Sequence, residues 1–400
     1  MVRRAGLSDC NCTLKHDMCS ALGQEIRDLI RKQGRITFAQ FMQVCLYSPR
    51  GGFYSARSQR ISAHFGTSSL SHPVFGVLIA RQLEQMWRFL EEPRVFHVIE
   101  AGCGDGALAQ SIVRACGRMQ SGFTNALCYV AADYEPRLPQ AADHIIDWDS
   151  VSGTTDAAYE VQRVKTAGLS AFRNVVGCIL SNELIDNFPV HRFAIRDGRV
   201  MEVFVTLDAG ELAEILDEPS SPLIEERIAS LGLSLPEGYR GEVNLGLEDW
   251  TGDIARALHR GFVLTIDYGQ QASELYSSER NEGTLVCYRG HAAGNDPYAD
   301  VGQHDITCHV DFTTLSRLGE RHGLATVGYV PQHRFLMNLG FASLLDELDT
   351  KDLSAARRAL SRVAMMALVD PDQYGDLKVL AQAKGIAPLA ALQGLARETR

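Results

Sequence analysis

Glu100 and the glycines at 102, 104 and 106 are the first residues able to do chemistry, because they close an apolar run, Val95 to Ile99, in the pattern EAGCGDG. A strand that ends in such a turn and passes into a helix brings backbone N–H groups and a helix N-terminus to the carboxyl edge of a sheet, where ligands bind. Glycine is needed there where a side chain would hold a ligand off the backbone, or where φ is positive. Gly102, Gly104 and Ala107 also satisfy the dinucleotide fingerprint, so the glycines alone leave two cofactors open. Glu100, two residues before the first glycine, would face a pyrophosphate poorly but suits the ammonium of a methionine moiety. Asp133 follows the next apolar run and is placed for ribose hydroxyls in either case. Together they favour the methyl donor S-adenosylmethionine over a dinucleotide, with Glu100, Gly102, Gly104, Gly106 and Asp133 as donor-site residues.

A second polar cluster, Ser181 to His191 (SNELIDNFPVH), follows the apolar run Val175 to Leu180. Methyl transfer is an in-line displacement at a carbon bonded to a positive sulfur, so the protein has to align the nucleophile, exclude water and take up a proton. Glu183, Asp186 and His191 are the candidate catalytic groups. Glu183 leads, as a base or as a bidentate holder of a cationic acceptor such as a guanidinium. Asn182 joins the donor site as a candidate. Without such roles Asn182 would be a turn cap, Asp186 an Asx-turn or helix cap, and His191 a surface histidine. No metal is called for, since a sulfonium is already an electrophile.

The elements that must position these groups follow from periodicity. Leu22, Ile26, Leu29 and Ile30 predict an amphipathic helix over Ala21 to Gly34, and Thr37 with Gln40 predicts a capping box at the start of FAQFMQVCLY. Pro73 to Leu90 has a third helical pattern. Four short runs, Val95 to Ile99, Leu127 to Ala132, Val175 to Leu180 and Phe262 to Ile266, are continuously apolar, as parallel strands covered on both faces are. Ala107 to Cys116 reads as the crossover helix between the first two. The stretch Asp208 to Trp250, acidic and broken by Pro219, Pro222 and Pro236, reads as a lid or subdomain inserted in the sheet. Gly283 to Leu315 reads as a return to the sheet, and the chain from Asp346 onward as mostly helical.

Composition narrows the class. Four hundred residues at 46% hydrophobic content bury a large core, and a net charge of −10 without a dense Lys/Arg run argues against a nucleic-acid binder. No apolar stretch approaches the roughly 20 residues that cross a bilayer, so the expected location is the cytoplasm; two early arginines leave an organelle presequence as the alternative. Cys45, Cys128, Cys178 and Cys287 sit in apolar runs and read as reduced core residues, while Cys10, Cys12, His16 and Cys19 fit no common zinc spacing.

These motifs, in this order, resemble the MidA-like family of methyltransferases. The likeness runs through residues 36 to 55, 64 to 80, EAGCGDG, NELIDNFPVHRF (182 to 193), GFVLTIDYG (261 to 269), and GTLVCYRGH with DITCHVDF (283 to 312). It implies a class I methyltransferase fold: a doubly wound, mostly parallel seven-stranded sheet with an N-terminal helical module and a helical insertion and C-terminal part. The corresponding divisions are 1–92, 93–207, 208–250 and 251–400. It further implies S-adenosylmethionine as cofactor and places Tyr288, Arg289, His291 and the segment Asp305 to Asp311 near the acceptor. Without substrate roles, Asp311 would cap the following helix and Arg289 would be an ion-pair partner. Relatives typically carry a Pro-Glu pair where this chain has Ser69-Leu70, and Asp149 to Ala167 is a lengthened polar loop. The lost acid tilts the expected acceptor toward a small-molecule hydroxyl or carboxylate. The alternatives are arginine N-methylation of a protein in the assembly of a respiratory complex, a nicotinamide-dependent oxidoreductase, and a non-catalytic assembly factor.

Overall fold

The apolar runs around Val98, Val130, Ile179 and Leu264 form the middle of a seven-stranded mixed sheet. The computed structural model describes residues 21–56, 72–134, 161–166, 168–289, 292–386 and 391–396. The sheet strands are β1 (Phe96–Ala101), β2 (Leu127–Tyr134), β3 (Gln162–Thr166), β4 (Val175–Asn182), β5 (Leu258–Asp267), β6 (Ala325–Pro331) and β7 (Lys378–Lys384). Their order is β6-β7-β5-β4-β1-β2-β3. The five strands from β5 to β3 in that order pair in parallel, and β7 runs antiparallel to both its neighbours.

Successive residues of each central strand point to opposite faces, and both faces are covered, which is why the runs are continuous rather than alternating. On one face Val98, Tyr129, Cys178, Leu180 and Leu264 pack with the helices Val74–Phe89 and Ala107–Cys116 through Phe75, Leu78, Leu83, Met86, Leu108 and Ile112. On the other, Ile99, Val130, Ile179 and Val263 meet Ile254, Leu258 and Leu324. Each fully buried Phe or Leu here contributes roughly 2–3 kcal/mol of transfer free energy.

The sheet belongs to a unit made of Gly66–Asp186, Leu247–Gln271 and Val310–Arg400. The second unit comprises Met1–Phe65, Asn187–Gly246 and Ala272–His309. Its helix Ala21–Gln33 buries Leu22, Ile26 and Ile30 and stops at Gly34, whose φ is +81°. Helix Phe38–Tyr47 starts at a complete capping box: Gln40 N–H donates to the Thr37 hydroxyl at 3.1 Å, and Thr37 N–H donates to the Gln40 side chain at 3.0 Å. These helices lie with a five-stranded antiparallel sheet that includes His191–Arg196, Arg199–Asp208, Glu211–Asp217 and Arg240–Val243.

Several expectations change. Of the lid or subdomain expected over 208–250, the structure has part of a subdomain: the stretch supplies the strands Glu211–Asp217 and Arg240–Val243 and the helix Pro222–Ser230 to the second unit, and only helix Leu247–Ala257 goes with the large sheet. The stretch 283–315 does not return to that sheet. It forms a separate three-stranded sheet (Val286–Arg289, Ala292–Gly294, Asp305–Thr307) before helix Phe312–Arg321. The C-terminal part is helical only to about residue 367 and then provides β7, whose Lys378 and Gln382 hide a strand pattern by being polar yet buried. The unit boundaries accordingly differ from the divisions at 92, 207 and 250, with helix Val74–Phe89 belonging to the sheet unit. Part of the polar stretch 149–167 is strand β3, which binds the edge of β2. Ser69, Leu70, Cys10, Cys12, His16, Cys19 and His291 lie outside the described residues. Cys45, Cys178 and Cys287 are free and buried, and Cys128 is free and half-buried. Among the described residues no helix is long and apolar enough to cross a membrane.

Candidate functional site

The carboxyl ends of β1, β2, β4 and β5 bring the polar residues of the sheet unit to one edge. Register makes the first pairing. Val98 stands opposite Tyr129 and Glu100 opposite Ala131, so Tyr129 and Glu100 are diagonal neighbours on one face. The Tyr129 hydroxyl donates to Glu100 Oε2 at 2.8 Å. Glu100 is only 4% exposed, and burial pushes its carboxyl up to about 7; the Tyr129 hydrogen bond and the Arg163 charge pull it back, and Asp105 adds to the rise.

Beyond Glu100 the chain turns through Gly102 (φ +71°), Gly104 (φ +52°) and Gly106 (φ +83°) into helix Ala107–Cys116. A β-carbon at Gly102 would lie 2.6 Å from Leu184 Cδ1, and one at Gly106 would lie 2.7 Å from Arg163 Nη2. One at Gly104 would meet no atom of the described residues within 4 Å. Gly102 and Gly106 are thus small because the protein crowds them, whereas Gly104 presents bare backbone to open space, as a cradle for a ligand does. Arg163 donates to Gly104 O at 3.0 Å and steadies the turn. Asp133 lies opposite Lys165 in the β2–β3 register and accepts from its ammonium at 2.8 Å, with about a third of the carboxylate side chain exposed.

β4 ends at Asn182, whose Nδ2 donates to Glu183 Oε1 at 3.1 Å. Glu183 has φ +50°, a left-handed conformation that costs a non-glycine residue of order 1 kcal/mol. Its amide donates to Ile266 O at 2.9 Å, tying residue 183 to the end of β5. There Asp267, fully buried, accepts the amides of Leu184 (3.1 Å) and Ile185 (2.8 Å) on Oδ2 and of Tyr268 (2.9 Å) on Oδ1. Burial pushes the Asp267 carboxyl up to about 7; the amides pull it back, and the Glu183 charge adds to the rise. The Tyr374 hydroxyl is raised by burial and by the same Glu183 charge. Asp186 closes this stretch in the short turn Ile185–Asn187 and is buried.

The remaining candidates lie in the second unit. His191 Nδ1 is 2.7 Å from Glu202 Oε1, and Glu202 Oε2 accepts Ser220 N–H at 2.6 Å. Burial pushes Glu202 up, but the hydrogen bonds from His191 and Ser220 outweigh it and hold the carboxyl below its usual range. Tyr288 is half-buried on Val286–Arg289, and Arg289 is exposed and ion-paired with Asp300. Asp311, in the sheet unit, caps helix Phe312–Arg321 by accepting Thr314 N–H at 3.0 Å. Asn187 Nδ2 donates to Asp305 Oδ1 (2.8 Å) and to Ile306 O (3.3 Å), and the Tyr54 oxygen is 2.9 Å from both Asn187 Oδ1 and Asp305 Oδ2.

Sequence reasoning passed over Tyr129, Arg163, Asp267 and Glu202. Asp267 carried the signal that singled out Glu100, an acid at the end of an apolar run, within the quoted GFVLTIDYG. Arg163 did not, because QRVKT alternates like a solvated segment.

A mixed α/β sheet with a buried acid, an open glycine turn and a carboxylate on the adjacent strand is an arrangement suited to a nucleoside cofactor. Residues 78–330 match the model of a family of S-adenosyl-L-methionine-dependent methyltransferases, and the chain belongs to that family. A Burkholderia thailandensis protein crystallised with S-adenosyl-homocysteine is similar over 99% of this chain and 98% of its own, at 26% identity and a TM-score of 0.79. The Drosophila melanogaster protein arginine methyltransferase NDUFAF7 homolog, mitochondrial, is 25% identical over 92% of this chain and 85% of its own length. The Homo sapiens protein arginine methyltransferase NDUFAF7, mitochondrial, is 24% identical over 87% of this chain and 79% of its own. The chain is an enzyme, a methyltransferase that uses S-adenosylmethionine.

Proposed function

We propose that the enzyme N-methylates a guanidinium, the side chain of a protein arginine, on a class I methyltransferase sheet. The carrying observation is Glu183: a carboxylate set in strained left-handed backbone, hydrogen-bonded to Asn182, with the next residue, Leu184, packed where a β-carbon of Gly102 would stand. Strain of that kind persists only where the surrounding structure over-determines it, as the hydrogen bonds of residues 183 to 185 to the end of β5 do here. The names of the fly and human relatives support this acceptor over the small-molecule hydroxyl or carboxylate that the loss of an acid at Ser69-Leu70 favours. A net charge of −10 also attracts cationic acceptors.

In this reading Glu100 receives the donor's ammonium, Gly104 lets the donor approach the backbone while Gly102 and Gly106 close the turn that frames it, Asp133 serves the ribose hydroxyls, and Asn182 orients Glu183. The bound donor supplies a methyl group already activated as an electrophile. Glu183 holds one guanidinium face in bidentate geometry, which aims the free nitrogen and takes up positive charge. Asp186, His191, Tyr288, Arg289 and His291 stand as further candidates, and the cytoplasm is the proposed compartment, to be checked by cell fractionation.

The test is mass spectrometry of proteins and small molecules incubated with methyl-labelled donor. Label on arginine that is lost in Glu183→Ala, with S-adenosylhomocysteine binding kept, supports the proposal; label only on small molecules refutes it. Binding of NADH without binding of S-adenosylhomocysteine would restore the oxidoreductase reading, and full biological function in Glu183→Ala the assembly-factor reading.

A further inference from the structure

We propose that Asp267 is the positioning residue of the acceptor site: by binding the amides of Leu184, Ile185 and Tyr268 it fixes Glu183 in the left-handed backbone from which its carboxylate meets a cationic acceptor. The inference rests on reading Glu183 as the acceptor-holding group.

Three observations carry it. First, Glu183 is held from two directions, its own amide on Ile266 O and the next two amides on Asp267 Oδ2, so residues 183 to 185 wrap around the end of β5. Second, the backbone at Glu183 stands at φ +50°, which a free chain would leave, and Asp267 supplies the hydrogen bonds that keep it there. Third, Asp267 is 0% exposed and pairs with no cationic side chain among the described residues. A buried carboxylate without a counter-cation is costly, and a plain turn would be served by Asn or Ser. A negative group behind Glu183 instead reinforces the potential that draws a guanidinium, and it holds three amides that a neutral side chain would hold less tightly. Burial and the Glu183 charge place this carboxyl at about 7, so a cation arriving at Glu183 favours its ionised form and tightens the wrap.

The experiment uses the full chain saturated with S-adenosylhomocysteine and a Gly-Arg-Gly peptide as guanidinium probe, titrated by calorimetry, with amide hydrogen exchange read at Leu184 and Ile185. Asp267→Ala should weaken the peptide at least about tenfold, and Asp267→Asn about threefold because its carbonyl still accepts two amides. S-adenosylhomocysteine affinity should stay within about threefold in both. Exchange at 184 and 185 should quicken about a hundredfold in Asp267→Ala. The wild type should bind the peptide more tightly at pH 8 than at pH 6, and Asp267→Asn should flatten that slope. Unchanged peptide affinity in Asp267→Ala overturns the proposal, as does a parallel loss of S-adenosylhomocysteine in Asp267→Asn, which would make Asp267 a support for the whole site. Glu183→Gln separates the two claims: unchanged peptide affinity there refutes the acceptor reading of Glu183, whereas a loss there beside wild-type binding in Asp267→Ala refutes only the positioning role.

Discussion

Donor affinity should depend on pH through Glu100, and its steepness follows from where that carboxyl titrates. In the free protein the group sits at about 7, because burial opposes its charge more than Tyr129 and Arg163 support it. S-adenosylhomocysteine brings an ammonium that stabilises the carboxylate, so below that value binding must release a proton. At pH 6, one unit below, only about a tenth of the molecules have Glu100 ionised, and affinity should be roughly tenfold weaker than its plateau above pH 8, or about 1.4 kcal/mol. Isothermal calorimetry in buffers of different ionisation enthalpy gives both the dissociation constant and the proton count, expected near one released at pH 6. Tyr129→Phe removes the hydrogen bond that favours the charged form, so the titration should move upward: weaker binding at pH 7, recovering toward pH 9. Glu100→Gln should flatten the profile and cost about 10- to 100-fold at high pH, the worth of a charge-assisted hydrogen bond. A dissociation constant that is level from pH 5.5 to 8, or tighter binding at pH 7 in Tyr129→Phe, would refute the assignment of Glu100 to the ammonium.

Gly104→Ala should leave the melting temperature within a few degrees, since its β-carbon meets no atom of the described residues within 4 Å, yet weaken S-adenosylhomocysteine at least about tenfold by filling the cradle and straining φ +52°. Glu183→Gly should release left-handed strain, leaving stability unchanged or up to about 1 kcal/mol higher in denaturant melts while abolishing methyl transfer; a clear loss of stability would count against the strain. Asp305 is buried and accepts from the Asn187 amide and the Tyr54 hydroxyl; burial pushes its carboxyl from 3.8 up to about 7, while the Tyr54 and Ile306 hydrogen bonds pull it back. A group raised in this way contributes stability that is complete below about pH 4 and is lost as pH rises through about 7. Asp305→Asn, which cannot ionise, should therefore lessen the decline in wild-type stability between about pH 4 and 7, which urea titrations would show.

Sequence patterns reveal what is repeated or unusual. The crossover helix Ala107–Cys116, the capping box at Thr37 and the strand ends at Glu100 and Asn182 were legible because apolar period, cap chemistry and glycine spacing all reported on the same local structure. β7 was not, since Lys378 and Gln382 are buried with their polar atoms satisfied by backbone oxygens at Asp376, Ser316 and Leu324, partners distant in the chain or set by a turn. The strands His191–Arg196 and Arg199–Asp208 were likewise obscured, because their sheet is assembled from three separated stretches of sequence. Within the candidate site, side chains at strand ends stood out. Those acting behind them, Tyr129 inside β2 and Asp267 under residues 183–185, become visible only when register and turn geometry are known.

The interior place of β7 has a consequence for synthesis. The ribosome makes this strand after the other six of its sheet, yet it lies between β5 and β6, so until residues 378–384 emerge both of those strands expose open edges. Nascent chains and products cut short before that point should be unable to zip the sheet shut and should be handled as aggregation-prone clients by chaperones and proteases. A stop codon just before residue 378, far from the donor cradle in sequence, should therefore deplete the protein as thoroughly as one two hundred residues earlier.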